Sequence, residues 1–300
     1  MSNLRRVTEF LGLVAMAALT AACSRSEAPA ASTQPARPPP ASVAASAVRE
    51  HGAPTASPPA QERPKTPLLE QEVAYGEAQK RNLVGLLAMP QDAVEPLPGI
   101  IVIHEWWGLN DNIKSMTRRL AGEGYVALAV DLYGGSTADT PEKARKLMAA
   151  VLSDSDAGRA NLKQAYNYLA KYAFAPRIGT IGWGFGGGWA LQTALMLPDD
   201  LDAMVMYSGE IVMSEPELAT LHMPLLGFFA GLDESIPARD VLIFRQTLLK
   251  LGKPVEMIIY RNAKRDFADP SSAEYDEKVA ADAWVKTLAF FAENLKPKPR

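Results

Sequence analysis

Two rhythms of apolar and polar positions run along this chain. Residues 72–75 and 83–89 alternate with a period of two around a polar stretch at 77–82, which predicts an antiparallel strand pair joined by a turn. Gly99-Ile-Ile-Val-Ile-His104 is instead an unbroken β-branched run, the pattern of a strand covered on both faces. Similar runs at 126–130, 178–181, 203–207, 225–229 and 255–260 predict further buried strands. Between them the period lengthens to that of helices, at 110–123, 141–150, 155–172, 187–197, 238–251 and 274–294. Asn110 or Asp111 is placed to cap the first of these helices, and Gly124 to end it. Such alternation of strand and helix predicts one α/β domain at residues 68–296, built on a mostly parallel sheet with helices on both faces. Ligands of such sheets bind at the carboxyl ends of the strands, so chemistry is expected just after each strand.

The first 67 residues follow neither rhythm. Arg5 and Arg6 precede an apolar run of about ten residues, from Phe10 to Leu19, and small residues continue to Ala22. This is the layout of an export signal over 1–22, and the run falls short of the roughly 20 apolar residues that cross a bilayer. The chain's one cysteine, Cys23, stands where that run ends, and Leu19-Thr-Ala-Ala-Cys23 resembles a bacterial lipobox, although Thr20 replaces the usual branched aliphatic. The resemblance implies that Cys23 is lipidated and becomes the first mature residue, tethering the protein to the membrane by a lipid anchor only. Ser24 follows, where aspartate often marks inner-membrane retention, so the outer membrane, on its periplasmic side, is the expected address. Residues 23–67 hold 10 Pro, 11 Ala and 6 Ser among 45, which cannot bury enough apolar surface to offset chain entropy and predict a disordered linker. Residues 297–300 form a short tail.

Charge and composition exclude several functions. A net charge of −3 gives no basic footprint for nucleic acid. One cysteine forbids an intramolecular disulfide framework or a multi-thiolate metal site, and neither a metal nor another cofactor is expected. The three histidines, His51, His104 and His222, are a small supply for acid–base work.

After residues 178–181 comes Gly182-Trp-Gly184-Phe185-Gly-Gly-Gly188 and then a helix. A nucleophile elbow, with small residues two positions either side of the reactive one, is one reading. A dinucleotide loop on Gly182, Gly184 and Gly187 is the other, with Asp202 or Glu210 as its acid. Asp202 precedes the next strand, Glu210 lies rather far along, and Trp183 and Phe185 are bulky for a loop that wraps pyrophosphate, so the elbow is favoured. The remaining strand ends carry His104-Glu-Trp-Trp-Gly-Leu-Asn110, Asp131-Leu-Tyr-Gly-Gly135, Gly231-Leu-Asp233 and Tyr260-Arg-Asn-Ala-Lys-Arg-Asp-Phe267.

This set, spread over residues from about 70 to 294, resembles the dienelactone hydrolase family of α/β-hydrolases. The resemblance implies hydrolysis of cyclic enol-lactones and related esters by a cysteine in the elbow, an aspartate after the seventh strand and a histidine after the last. It also implies a glutamate in contact with the nucleophile, and an oxyanion site on the backbone N–H groups of the residues after that glutamate and after the nucleophile. Carried onto this chain, the acid is Asp233, the glutamate is Glu105, and the oxyanion donors are Trp106 and Phe185. The nucleophile position is Gly184, without a side chain, and the histidine position is Arg265. No histidine follows His222, and arginine has no neutral form with which to accept a proton. Losing a triad nucleophile or its base lowers a catalysed rate by about 10⁶.

The expectation is therefore a degenerate hydrolase whose pocket holds an ester, lactone or carboxylate, with Arg265 paired to Asp233, in a geometry suited to a bidentate contact. An active hydrolase that uses other groups, Glu105 or Ser208 among them, and a purely structural envelope protein are the alternatives. Trp106 and Trp107 read as packing residues near the pocket, and His104 and His222 as structural.

Overall fold

The computed structural model describes residues 64–297. The expected signal at 1–22, Cys23, His51, all of the linker before Pro64 and the last three residues lie outside the described residues.

The chain opens with two long strands, β1 (Leu68–Ala78) and β2 (Arg81–Pro90), joined at Gln79 and Lys80. The alternation predicts a polar turn over 77–82, whereas the strands continue to within two residues of each other. Both turn residues take the left-handed conformation, with φ of 49° and 61°, which twists the hairpin in the sense the strands need and strains two non-glycine residues to do so. A bulge between Ala74 and Gly76 bends β1 so that the Tyr75 ring is buried and its hydroxyl donates to Asn161 Oδ1 at 2.6 Å.

The rest alternates as the sequence predicts. β3 (Gly99–Ile103) leads to α1 (Asp111–Gly122), capped by Asn110, whose Oδ1 accepts the Ile113 N–H at 3.1 Å. β4 (Val126–Val130) is followed by two consecutive helices, α2 (Pro141–Ser153) and α3 (Ser155–Lys171). Next come β5 (Ile178–Trp183), α4 (Phe185–Met196), β6 (Ala203–Tyr207) and a one-turn helix, α5 (Glu215–Leu218), which the periodicity does not signal. β7 (Leu225–Ala230), α6 (Ala238–Lys250), β8 (Val255–Tyr260) and α7 (Glu277–Leu295) complete the domain.

The eight strands form one sheet in the order β1-β2-β4-β3-β5-β6-β7-β8, parallel from β4 to β8 and antiparallel in the first hairpin and where it joins β4. Successive residues of the β-branched runs feed opposite faces. Ile101 and Ile103 join a core with α2, α3, α4 and α6, whereas Ile100 and Val102 join one with α1 and α7. Each such side chain, fully removed from water, contributes roughly 1.5–3 kcal/mol, so the two cores hold the sheet from both sides. Because β4 and β5 flank β3 on opposite sides, the chain reverses its direction of travel across the sheet at β3. In sheets of this class the ligand crevice lies at the carboxyl ends of the strands at such a reversal.

Candidate functional site

That crevice lies between the ends of β3 and β5, and it is where the sequence places Glu105 and Gly184. The turn from β5 into α4 is tight. A side chain at Gly182 would strike the Gly186 carbonyl oxygen at 2.1 Å, and one at Gly186 would strike the carbonyls of Ile103 and His104 at 2.4 and 2.5 Å. The backbone of α4 thus rests directly on the end of β3. Gly184, by contrast, has φ 52° and ψ −113°, and a side chain there would meet nothing within 4 Å. This is the strained strand–turn–helix geometry of a nucleophile elbow, with open space where a reactive atom would stand. Its N–H donates to the Tyr207 carbonyl at 2.8 Å, which ties the turn to β6. The dinucleotide alternative finds no support from Asp202. Its carboxylate accepts the Ile178 N–H at 2.8 Å at the amino ends of the strands, away from the elbow.

Asp233 follows β7, and its side chain is 2% exposed. One carboxylate oxygen accepts the backbone N–H groups of Ser235 and Ile236 at 2.8 and 3.1 Å, and the other accepts Arg265 Nη1 at 3.0 Å. The expected ion pair is present. It is single-pronged rather than bidentate, because the loop's own N–H groups already occupy the second oxygen. Ser208, at the end of β6, is held at φ 44°, and its hydroxyl donates to the Arg265 carbonyl at 2.9 Å. That contact steadies the loop carrying Arg265 and gives the hydroxyl no base.

Glu105 is buried, and a hydrogen bond joins its carboxyl to that of Asp269, a residue the sequence reading passed over. Burial, with Asp269 and Asp266 nearby, pushes the Glu105 carboxyl well above the ordinary carboxylate range. Burial raises Asp269 as well, against the pull of Ser271, whose N–H and hydroxyl both donate to it, at 2.8 and 2.7 Å. Asp269 could have been flagged only by the spacing Asp266-Phe-Ala-Asp269 on a strand-end loop, a weak signal without the fold.

His104 is fully buried, and both ring nitrogens are engaged with backbone. Nε2 accepts the Leu132 N–H at 3.0 Å, which leaves Nδ1 to donate to the Glu105 carbonyl at 2.6 Å. Burial lowers its pKa. This ring fixes the loops after β3 and β4 to each other. His222 pairs with Asp199 on the exposed surface. Trp106 and Trp107 are buried against each other, their ring centroids 4.6 Å apart, and Phe185 opens α4 beside Trp189 and Tyr133.

The dienelactone hydrolase family model matches residues 83–295. A relative from Aquifex pyrophilus, Protein usf, is 34% identical over 205 residues, covering 66% of this chain and 89% of its own length. A provisionally named carboxymethylenebutenolidase from Aquifex aeolicus (strain VF5) is 30% identical over 219 residues, covering 71% and 94%. Among solved structures, a provisionally named dienelactone hydrolase from Klebsiella pneumoniae subsp. pneumoniae superposes with a TM-score of 0.68 at 28% identity, covering 76% of this chain and all of that one. With the elbow, the aspartate loop and the parallel sheet already in place, these matches make the chain a member of the dienelactone hydrolase family.

Proposed function

We propose that this member of a hydrolase family has lost triad hydrolysis and keeps its cleft as a binding site for a neutral carbonyl compound. The observation that carries the reading is the 3.0 Å contact between Arg265 and Asp233, because it puts a permanent cation on the carboxylate that would orient an imidazole. Opposite it, Gly184 offers no sulfur or hydroxyl. The backbone donors of the proposed oxyanion site, Trp106 and Phe185, do not depend on side-chain identity, and the N-terminus of α4 adds its dipole. Among the candidate ligands, esters and lactones suit the cleft better than carboxylates, since Arg265 is already committed and Glu105, Asp266 and Asp269 add acid nearby. Restoring the pair Gly184→Cys and Arg265→His is expected to yield esterase activity on p-nitrophenyl acetate, because the space at 184 is open. Wild-type turnover above the uncatalysed background, or a restored double variant that folds but stays inert, refutes the reading.

One observation favours a second reading, in which the chain still hydrolyses esters. The Glu105–Asp269 pair could take a proton from a water standing in the space at Gly184. Wild-type turnover abolished by Glu105→Gln and unaffected by Ser208→Ala would select it. Export and lipid attachment at Cys23 are proposed on the sequence pattern, and loss of palmitate labelling in Cys23→Ala tests them.

A further inference from the structure

A second cavity lies away from the elbow, and the strand register explains it. β2 pairs with β4 only at Leu86–Ala129, Leu87–Leu128 and Ala88–Ala127, so its first residues run past the end of that ladder. The chain leaving β4 does not accompany them. Asp131 turns it aside by accepting the N–H groups of Tyr133 and Gly135, with Gly134 and Gly135 at φ 62° and 90°. The overhang of the hairpin therefore faces α2 and α3 with no strand beside it, and a cavity of about 720 Å³ remains. That size falls in the range of small-molecule sites.

Its walls are of two kinds. On the face shared with α2 and α3, Leu83, Leu147 and Val151 give an apolar surface. The carboxylates on that face already have donors: Asp131 holds the two N–H groups above, and Asp154 accepts the Ala157 N–H at 3.2 Å and Gln79 Nε2 at 2.8 Å. Arg81 shares this face with Leu83 by strand alternation and has no ion-pair partner among the described residues. Glu72 and Lys114, the other charged residues of the lining, belong to the opposite face with α1.

We propose that this cavity binds a small amphiphilic carboxylate, its hydrocarbon tail on Leu83, Leu147 and Val151 and its head on Arg81. The site is separate from the elbow and does not rest on the reading given above. Tyr133 is their common wall. It lines the cavity, while its hydroxyl donates to the Trp106 carbonyl at 3.0 Å and its ring centroid lies 6.0 Å from that of Phe185.

Calorimetric titration of the full-length chain with sodium octanoate tests the proposal. Saturable binding is expected, weakened at least tenfold by Val151→Trp, which fills the apolar wall, and at least tenfold by Arg81→Gln. Arg81→Gln is a change at the exposed first residue of a strand and leaves folding intact. Binding of 1-octanol should be indifferent to Arg81→Gln, and Arg81→Glu should prefer octylammonium to octanoate. Gly184→Phe, which obstructs the elbow, should leave octanoate binding unchanged and so separates the two sites. Absence of saturable binding, equal losses of octanol and octanoate in Arg81→Gln, or displacement of octanoate by Gly184→Phe overturns the proposal.

Discussion

Replacing Arg265 by alanine removes the counter-charge of a carboxylate that is almost wholly out of water. Breaking a buried ion pair from one side costs about 3–5 kcal/mol, because the remaining charge is left uncompensated. Two features of this site reduce that figure. Asp233 keeps the N–H groups of Ser235 and Ile236, and the guanidinium is 17% exposed, so part of its interaction is already with solvent. The expected loss is about 2–3 kcal/mol. For a domain of this size that amounts to a fall in Tm of roughly 5–10 °C. Calorimetric unfolding at neutral pH measures it, and high salt should change it little, since a buried pair is weakly screened. In the double variant Asp233→Asn with Arg265→Ala no charge remains to be left bare, and the loss should be smaller than the sum of the two single losses. An Arg265→Ala protein within about 0.5 kcal/mol of wild type, or strictly additive losses, would refute the reading of Arg265 and Asp233 as a coupled, buried ion pair, because such values belong to exposed pairs.

The carboxyl pair gives a pH signature. Glu105 and Asp269 hold their proton to higher pH in the folded chain than in the unfolded one, so the folded state binds more protons and stability falls as pH rises above the ordinary carboxylate range through the raised values. The slope reaches about 1.4 kcal/mol per pH unit for one proton. Glu105→Gln should flatten it, as read from urea unfolding at pH 5 and pH 8, and parallel curves for variant and wild type would contradict the assignment. At the hairpin, Gln79→Asn with Lys80→Gly supplies the residues that accept φ above zero at both positions and should raise stability by about 0.5–1 kcal/mol. Unchanged stability would mean the turn is not strained.

Much of the architecture was legible before any coordinates. Period-two and β-branched runs located the strands, and the helical period located all helices but the single turn of α5, which is too short to show one. The elbow was legible in part because Gly182 answers to local sterics, a side chain there colliding with the Gly186 carbonyl, whereas Gly186 is required by the carbonyls of Ile103 and His104, which only the fold brings against it. The residue types at the expected nucleophile and histidine positions were equally plain, since Gly184 and Arg265 are read directly from the chain. Contacts between strand ends were not legible. Nothing in the local pattern brings Asp269 to Glu105, limits Arg265 to one oxygen of Asp233, or hands both His104 nitrogens to backbone, because each depends on how loops far apart in the chain converge over the sheet. The cavity beside the hairpin belongs to the same class. It exists because of where one ladder stops, and a ladder's end is set by the pairing of two strands together, which neither strand encodes alone.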